Sequence, residues 1–375
     1  MLTRAVTRAA AVAAVAIVSA LAPTAAGADA FHHHGGVVFV QTDSQSGNAI
    51  VAYDRAADGT LTEAGTYPTG GLGGQLAGSA VDHLASQGSL VYDRSDHLLY
   101  AVNAGSNTIT VFQVWGDRLW RDQVIASGGT FPVSIAASGD LVYVVNALNG
   151  GSIQGYVRLG DRLIRVPGWN RALGLSTTAT PQFLNSPGQI IFTPDARQLI
   201  VSTKANGDDL DVFGIGRDGS PSPTAVVNAE GSTIPFALGF DRGGDLVVAA
   251  PGTDALMTFT VARDGALTEV QSTPTGQAAT CWLVGTGDYF YASNAGSASV
   301  STLMATSPGS LTDLGNTTTD PGTIDAAISR HGRHLYVETG TNGIVDEFAI
   351  GAGGALTSVG SIAIPGGYGE GIAAQ

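Results

Sequence analysis

The stretch "ALGFDRGGDLVVAAPGTDALMTFTVARDGALTEVQSTPTG", Ala237 to Gly276, decides the fold. It reads as four short apolar runs separated by turns: "ALGF", then "DLVVAA", then "ALMTFTV", then "ALTEVQS". The turn in "RDGALT" places glycine where a hairpin needs positive φ, and "ADGTLT", Ala57 to Thr62, repeats the device. Four strands of this length joined by tight turns make one antiparallel sheet, and the question is how many such sheets the chain holds.

The second run has echoes throughout the chain. "VFVQT" ends at Thr42, "LYAVN" at Asn103, "VYVVN" at Asn146, "LIVST" at Thr203, "LVVAA" at Ala250, "FYASN" at Asn294 and "LYVET" at Thr339. Most intervals lie between 43 and 47 residues, the period of a four-stranded propeller blade, and two intervals, of 61 and 57, carry insertions. Six echoes are preceded by a first strand: "SLVYD", "PVSIAAS", "QIIFTPD", "FALGFD", "CWLVGTG" and "IDAAISR". The echo after Val37 has none, and "GEGIAAQ", Gly369 to Gln375, is free to supply it. The reading is an all-β, seven-bladed β-propeller closed by pairing of the C-terminal strand with the N-terminal blade, which hides sheet edges. It occupies residues 37–375 as a single domain.

Composition agrees. Of 375 residues, 52 are glycine and 13% are charged, which suits many strands and turns and does not suit a helical bundle. A net charge of −14 leaves no basic groove for phosphates, so no nucleic-acid partner is expected. Arg4 and Arg8 followed by "AAAVAAVAIVSALA" and "ADA" read as a secretory signal over 1–30, which predicts a secreted, extracellular protein with no membrane attachment after cleavage. Cleavage after Ala30 would expose "FHHHGG", residues 31–36, as a flexible tail whose third residue, His33, completes a square-planar Cu(II) chelate. A single cysteine, Cys281, forms no internal disulfide, and a monomer is expected.

"SPGQIIFTPDARQLIVSTKANGDDLDVFGIGRDG", Ser186 to Gly219, and "SRHGRHLYVETGTNGIVDEFAIGAGGALT", Ser329 to Thr357, resemble the strand, turn, strand and D-x-x-G pattern of the seven-bladed lactonase-like family. Its best-known branch includes bacterial 6-phosphogluconolactonases and carboxymuconate cyclase relatives. The resemblance implies a lactonase-type hydrolase without a cofactor, acting at one mouth of the channel. It also shows a departure: family lactonases often carry histidine after the proline opening the central blade, whereas Pro187 is followed by Gly188 and Gln189. Arg171 and Lys204 are the main cations expected at the mouth, with no arginine cluster for a phosphate, so an unphosphorylated lactone or cyclic ester is the expected substrate. A non-catalytic propeller binding a glycan, peptide or surface partner is the alternative.

Both insertions, Pro68 to Gly88 and Gly168 to Pro187, join the last strand of one blade to the first of the next and belong at that mouth. Hydrolysis needs a base and oxyanion donors. His83 is the histidine expected near the channel and the candidate base, with Asp82 beside it; Lys204, the only lysine, follows an echo strand and is expected to bind a carboxylate or oxyanion or to pair with Asp208 and Asp209. Asn185, Gln189, Asp208, Cys281, Trp282, Asp325 and Glu370 are the expected substrate-binding residues. Asp320, Asp325 and Glu370 with Asn103, Asn146 and Asn294 are the oxygen ligands a channel calcium would use, but no D-x-D-x-D-G loop supports one and no metal is assigned. His97, His331 and His334 are expected in turns on the opposite face.

Overall fold

The computed structural model describes Met1 and residues 35–375; the expected signal segment and nearly all of the histidine-rich stretch lie outside the described residues. Seven four-stranded antiparallel sheets follow one another along the chain. Blade 1 is built from Val37–Gln41, Ala49–Arg55 and Leu61–Pro68 with Ile372–Ala374 added as its innermost strand. The register Val38 to Ala374, Phe39 to Ala373 and Val40 to Ile372 closes the ring. Arg94 of blade 2 adds a 2.6 Å bond to the Ala374 carbonyl.

The echo is the second strand of every blade. In blade 2, Leu98–Asn103 is buried at every position, and so is His334–Thr339 in blade 7. These strands are covered on both faces by neighbouring blades, so continuous apolar runs replace strict alternation. The outermost strands read differently: Leu61–Pro68 is largely exposed after its first residue and carries Thr62, Glu63 and Thr66 outward. Between third and fourth strands a register shift recurs in six blades, beside Tyr53, Phe112, Tyr156, Phe259, Leu303 and Phe348. Each bulge adds the local twist a propeller blade requires.

The echo tyrosines hold blade to blade. Tyr143 donates to the Gly219 carbonyl at 2.5 Å, Tyr336 to Gly59 at 2.8 Å and Tyr291 to Gly354 at 3.1 Å, in each case the hairpin glycine of the next blade around the ring. That glycine is required twice over. At Gly59 φ is +101° and a Cβ would sit 2.3 Å from the His334 ring; at Gly219 φ is +85° and a Cβ would meet Leu141 at 2.6 Å and Trp169 at 2.7 Å. His334 itself opens a strand and is buried against Arg55, not placed in a turn as its spacing suggests.

These tyrosines carry a paired expectation. The Tyr336→Phe variant loses about 1 kcal/mol of stability, the net worth of a buried hydrogen bond. Tyr100, whose buried hydroxyl has no partner among the described residues, gives the opposite control: Tyr100→Phe is neutral or stabilising. Urea midpoints of the two variants measured together check this; equal losses would show that the hydroxyl bond is not what matters.

Candidate functional site

The first insertion does not stand over the channel mouth as an open loop. It folds into it. Asp82 accepts backbone N–H bonds from Ala85 at 2.5 Å and Ser86 at 3.2 Å, which coils the segment into a tight turn. The turn is then tied to blades around the ring. Ser86 donates to the Val133 carbonyl of blade 3 at 2.8 Å, and the Gln87 N–H to Gly188, ahead of blade 4, at 3.0 Å. On the far side the Gln87 amide copies a strand partner, donating to the Leu283 carbonyl at 2.6 Å and accepting its N–H at 2.8 Å. Trp282 donates its indole N–H to the Ser86 carbonyl at 2.9 Å, and Ser89 donates to Glu370. Leu76 and Leu84 are fully buried, so residues 76–89 form a plug whose apolar and polar groups are both satisfied. The second insertion braces it, with Gln182 accepting the Ala77 N–H at 3.0 Å.

The plug revises several expectations. Lys204 is not paired with Asp208 or Asp209: its ammonium is turned into the channel, 1% exposed, donating to the Ala85 carbonyl at 2.5 Å and Phe183 at 2.6 Å above the Phe236 ring. Burial pushes its pKa down to about 7 against the pull of Asp82. Asp208 instead caps the next loop, accepting from the Ser232 and Ile234 N–H groups. Asn185 closes a 3₁₀ turn and donates to Pro181 at 2.9 Å, and the Gln189 amide oxygen accepts the Leu238 N–H at 2.6 Å, a staple between blades 4 and 5. Arg171 is consumed by backbone carbonyls, among them Pro221 at 2.7 Å and Ser222 at 2.8 Å. Trp282 pins the plug and packs edge-on to Phe236. Cys281 stays a thiol, its pKa pushed up to about 12 by burial despite Lys204 nearby.

Beneath the plug lie buried carboxyl groups. Asp325 is raised to about 7 by desolvation, even though the Ala326 N–H bonds it at 2.8 Å. Glu338 and Glu370 are raised well above the ordinary glutamate value by the same cause, reinforced by neighbouring carboxylates. Glu338 accepts the Gly371 N–H at 3.0 Å and leaves its other oxygen without a partner among the described residues. The asparagines do not join them. Asn103 accepts from Asn48 of blade 1 and donates to Thr108 and Thr110 of its own blade, and Asn294 bonds Thr280, Ser299 and Ser301 within blade 6. Asp320 is held by Asp346 elsewhere, so the six oxygen groups are not brought together. Among the described residues no group of three or more histidine, cysteine, aspartate or glutamate side chains is arranged to hold a metal ion.

The accessible part of the mouth lies beside the plug, in a cleft of about 640 Å³ between blade 1, the plug and the loop before the closing strand. His83 lines it, partly exposed, with its backbone N–H fixed to the Glu370 carboxylate at 2.7 Å. The imidazole Nδ1 lies 3.5 Å from Asp43 Oδ2, and its ring packs on Tyr368 at 4.9 Å between centroids. Asp43 is 1% exposed; burial raises it to about 6, opposed by His83 and by the Gly74 N–H. The carboxylate partner of His83 is thus Asp43, while adjacent Asp82 points inward as a cap. An imidazole oriented through Nδ1 presents Nε2 as a base. The Ser44 and Ser46 hydroxyls, 3.0 Å apart, border the same cleft, as do the side-chain amides of Gln45, which donates to the Gln75 oxygen at 3.4 Å, and of Gln75, which donates to the Ser79 carbonyl at 3.0 Å.

Asp43 had a legible signal. It is the residue directly after the first echo, as Lys204 is after the fourth; the equivalent residues are Ala104, Ala147, Pro251, Ala295 and Gly340. Two charged side chains at this position of the repeat mark the two blades whose mouths differ from the rest. Tyr368 carries no such signal.

Residues 28–158 match the family model described as Lactonase, 7-bladed beta-propeller. Among solved structures, a proposed 6-phosphogluconolactonase of Bacteroides fragilis is 18% identical with a TM-score of 0.71, over 90% of this chain and 97% of that one. A periplasmic gluconolactonase of Pseudomonas aeruginosa is 17% identical with a TM-score of 0.70, over 90% and 98%. A protein of Lactobacillus plantarum is 18% identical with a TM-score of 0.71, over 91% and 99%. No curated protein matches the chain. At such identities the structures carry the fold, and the family model carries the lactonase-like resemblance.

Proposed function

Taking the chain as a lactonase-like seven-bladed propeller, we propose that it hydrolyses an unphosphorylated lactone or cyclic ester in the cleft beside the plug. The observation that carries this reading is the His83 and Asp43 pair, one group facing the cleft and the other buried behind it. Nε2 of His83 takes a proton from water, and the hydroxide forms a bond to the lactone carbonyl carbon. The tetrahedral oxyanion is held by the hydroxyl and amide donors of Ser44, Ser46 and Gln45. On collapse the ring C–O bond breaks, the alkoxide takes the proton back from His83, and a hydroxy acid leaves. Asp43 keeps the imidazole in the required tautomer and stabilises the imidazolium between the two transfers.

Substrate class follows from the lining. Among the described residues lining the cleft His83 is the sole basic side chain, so a phosphate finds no guanidinium fork and a neutral polyhydroxy lactone finds serine, threonine and glutamine partners. The reading takes the protein as an exported monomer, export resting on the leader-like pattern of residues 1–30.

Purified protein assayed against sugar lactones, acyl-homoserine lactones and muconolactones tests the proposal, with turnover expected for a neutral lactone. No turnover together with saturable glycan binding at the mouth would select the non-catalytic alternative.

A further inference from the structure

The outer rim of blade 2 exposes two of the four tryptophans of the chain. Trp115 is 73% and Trp120 69% exposed, at the ends of the paired strands Thr108–Trp115 and Arg118–Ala126. They share a cleft of about 570 Å³ with Tyr67 of blade 1 and with Gln113, Arg118 and Leu119. The hairpin end lies away from the mouth, because Asn103 ends the echo strand at the mouth and Thr108–Trp115 runs back from it. The rim cleft and the mouth cleft share no lining residue.

We propose that this cleft binds a neutral pyranoside glycan, the two indoles stacking on sugar faces. Burial does not explain indoles left this open, and isolated exposed apolar residues need no explanation where a clustered aromatic pair does. The polar tips choose the ligand. The indole N–H groups, the Tyr67 hydroxyl and the Arg118 guanidinium have no hydrogen-bond or ion-pair partner among the described residues. Gln113 spends its amide N–H on Asp161 at 2.9 Å and keeps its oxygen. A ligand that presents flat C–H faces and many hydroxyls satisfies both sets of groups at once; a hydrocarbon satisfies only the first.

Size and charge exclude the other occupants. Six described residues line the cleft, whereas a stable protein interface takes about 20–30 residues a side, and about 570 Å³ falls within the range of roughly 300–1,000 Å³ typical of small-ligand sites. A basic peptide finds no carboxylate among the described lining residues. A polyanionic chain meets one guanidinium on a protein of net charge −14.

Isothermal titration and tryptophan fluorescence of the full chain with cellohexaose, mannohexaose and chitohexaose test this, with polygalacturonate as the anionic control. One or more neutral hexasaccharides is expected to bind and shift the fluorescence. Trp115→Ala and Trp120→Ala each weaken binding about tenfold, and Tyr67→Phe weakens it less, with unchanged circular dichroism and unchanged kinetics at the mouth. Failure of all three neutral probes, binding that survives the double tryptophan variant, preference for polygalacturonate, or self-association abolished by that double variant would each overturn the proposal.

Discussion

The His83→Ala variant is expected to lower kcat/KM on the best lactone by two to four orders of magnitude, roughly 10²–10⁴, the usual contribution of a positioned general base. Its melting temperature changes little, because the plug is anchored by the main chain of residue 83 and not by its ring. Asp43→Asn lowers activity in the same direction with a smaller loss, since the imidazole keeps a partner at Nδ1 but loses the charge that stabilises its protonated form. With Asp43 titrating near 6, wild-type activity rises as pH increases through that value, and this limb moves in Asp43→Asn. Lys204→Met separates the two layers of the mouth. It loosens the plug, read as faster hydrogen exchange over residues 76–89, without removing the base. Turnover that survives His83→Ala intact and vanishes in a well-folded Lys204→Met protein would move the chemistry into the channel.

Stability is expected to fall as pH rises from about 4 to 7. Asp325 sets the example: its carboxyl ionises near 3.8 in the unfolded chain and near 7 in the folded one. Below about 4 both states are neutral and the full stability is present. Through the interval between the two values only the unfolded chain loses its proton, so folding is progressively penalised, by about 4 kcal/mol in total at about 1.36 kcal/mol per unit. Glu338 and Glu370 act with the same sign. Lys204 acts above this range: its folded pKa is lowered to about 7, so its neutral form favours folding increasingly as pH climbs from there toward 10.5. Asp58, Asp195 and Asp218 are lowered by hydrogen bonds in their turns and oppose unfolding only down to the acid end. Urea midpoints taken from pH 4 to 8 check the slope. The Asp325→Asn variant, which keeps an acceptor for the Ala326 N–H, flattens it and gains stability at pH 8 relative to wild type. An unchanged slope in that variant would show that Asp325 is ionised in the fold.

The plug explains why a loop-rich mouth became a packed one. A channel ringed by seven innermost strands leaves backbone and carboxyl groups without partners, and unpaired buried polar groups cost free energy. Gln87 supplies Leu283 with a strand-like partner, Asp82 satisfies two N–H groups, and Lys204 ties down the Ala85 carbonyl. These roles explain why Asp82, Lys204, Gln189 and Trp282, all expected at a binding surface, are found holding the scaffold.

The period of the echoes, the first strands, the turn glycines and the missing strand of blade 1 are local properties of the chain, set by φ preferences and by apolar runs, and they determined seven blades and their closure before any contact was known. The repeat also marked where blades differ, at the two insertions and at the charged residues after the echoes. It did not determine which way those side chains turn. Asp43 and His83 are neighbours only because the insertion folds back across blade 1, and Lys204 meets Ala85 from across the channel. Which carboxylate serves the imidazole, which lies buried and neutral, and which lysine is desolvated depend on burial and on partners brought from other blades. Desolvation and pairing are properties of the closed ring, so the tertiary structure alone decided them.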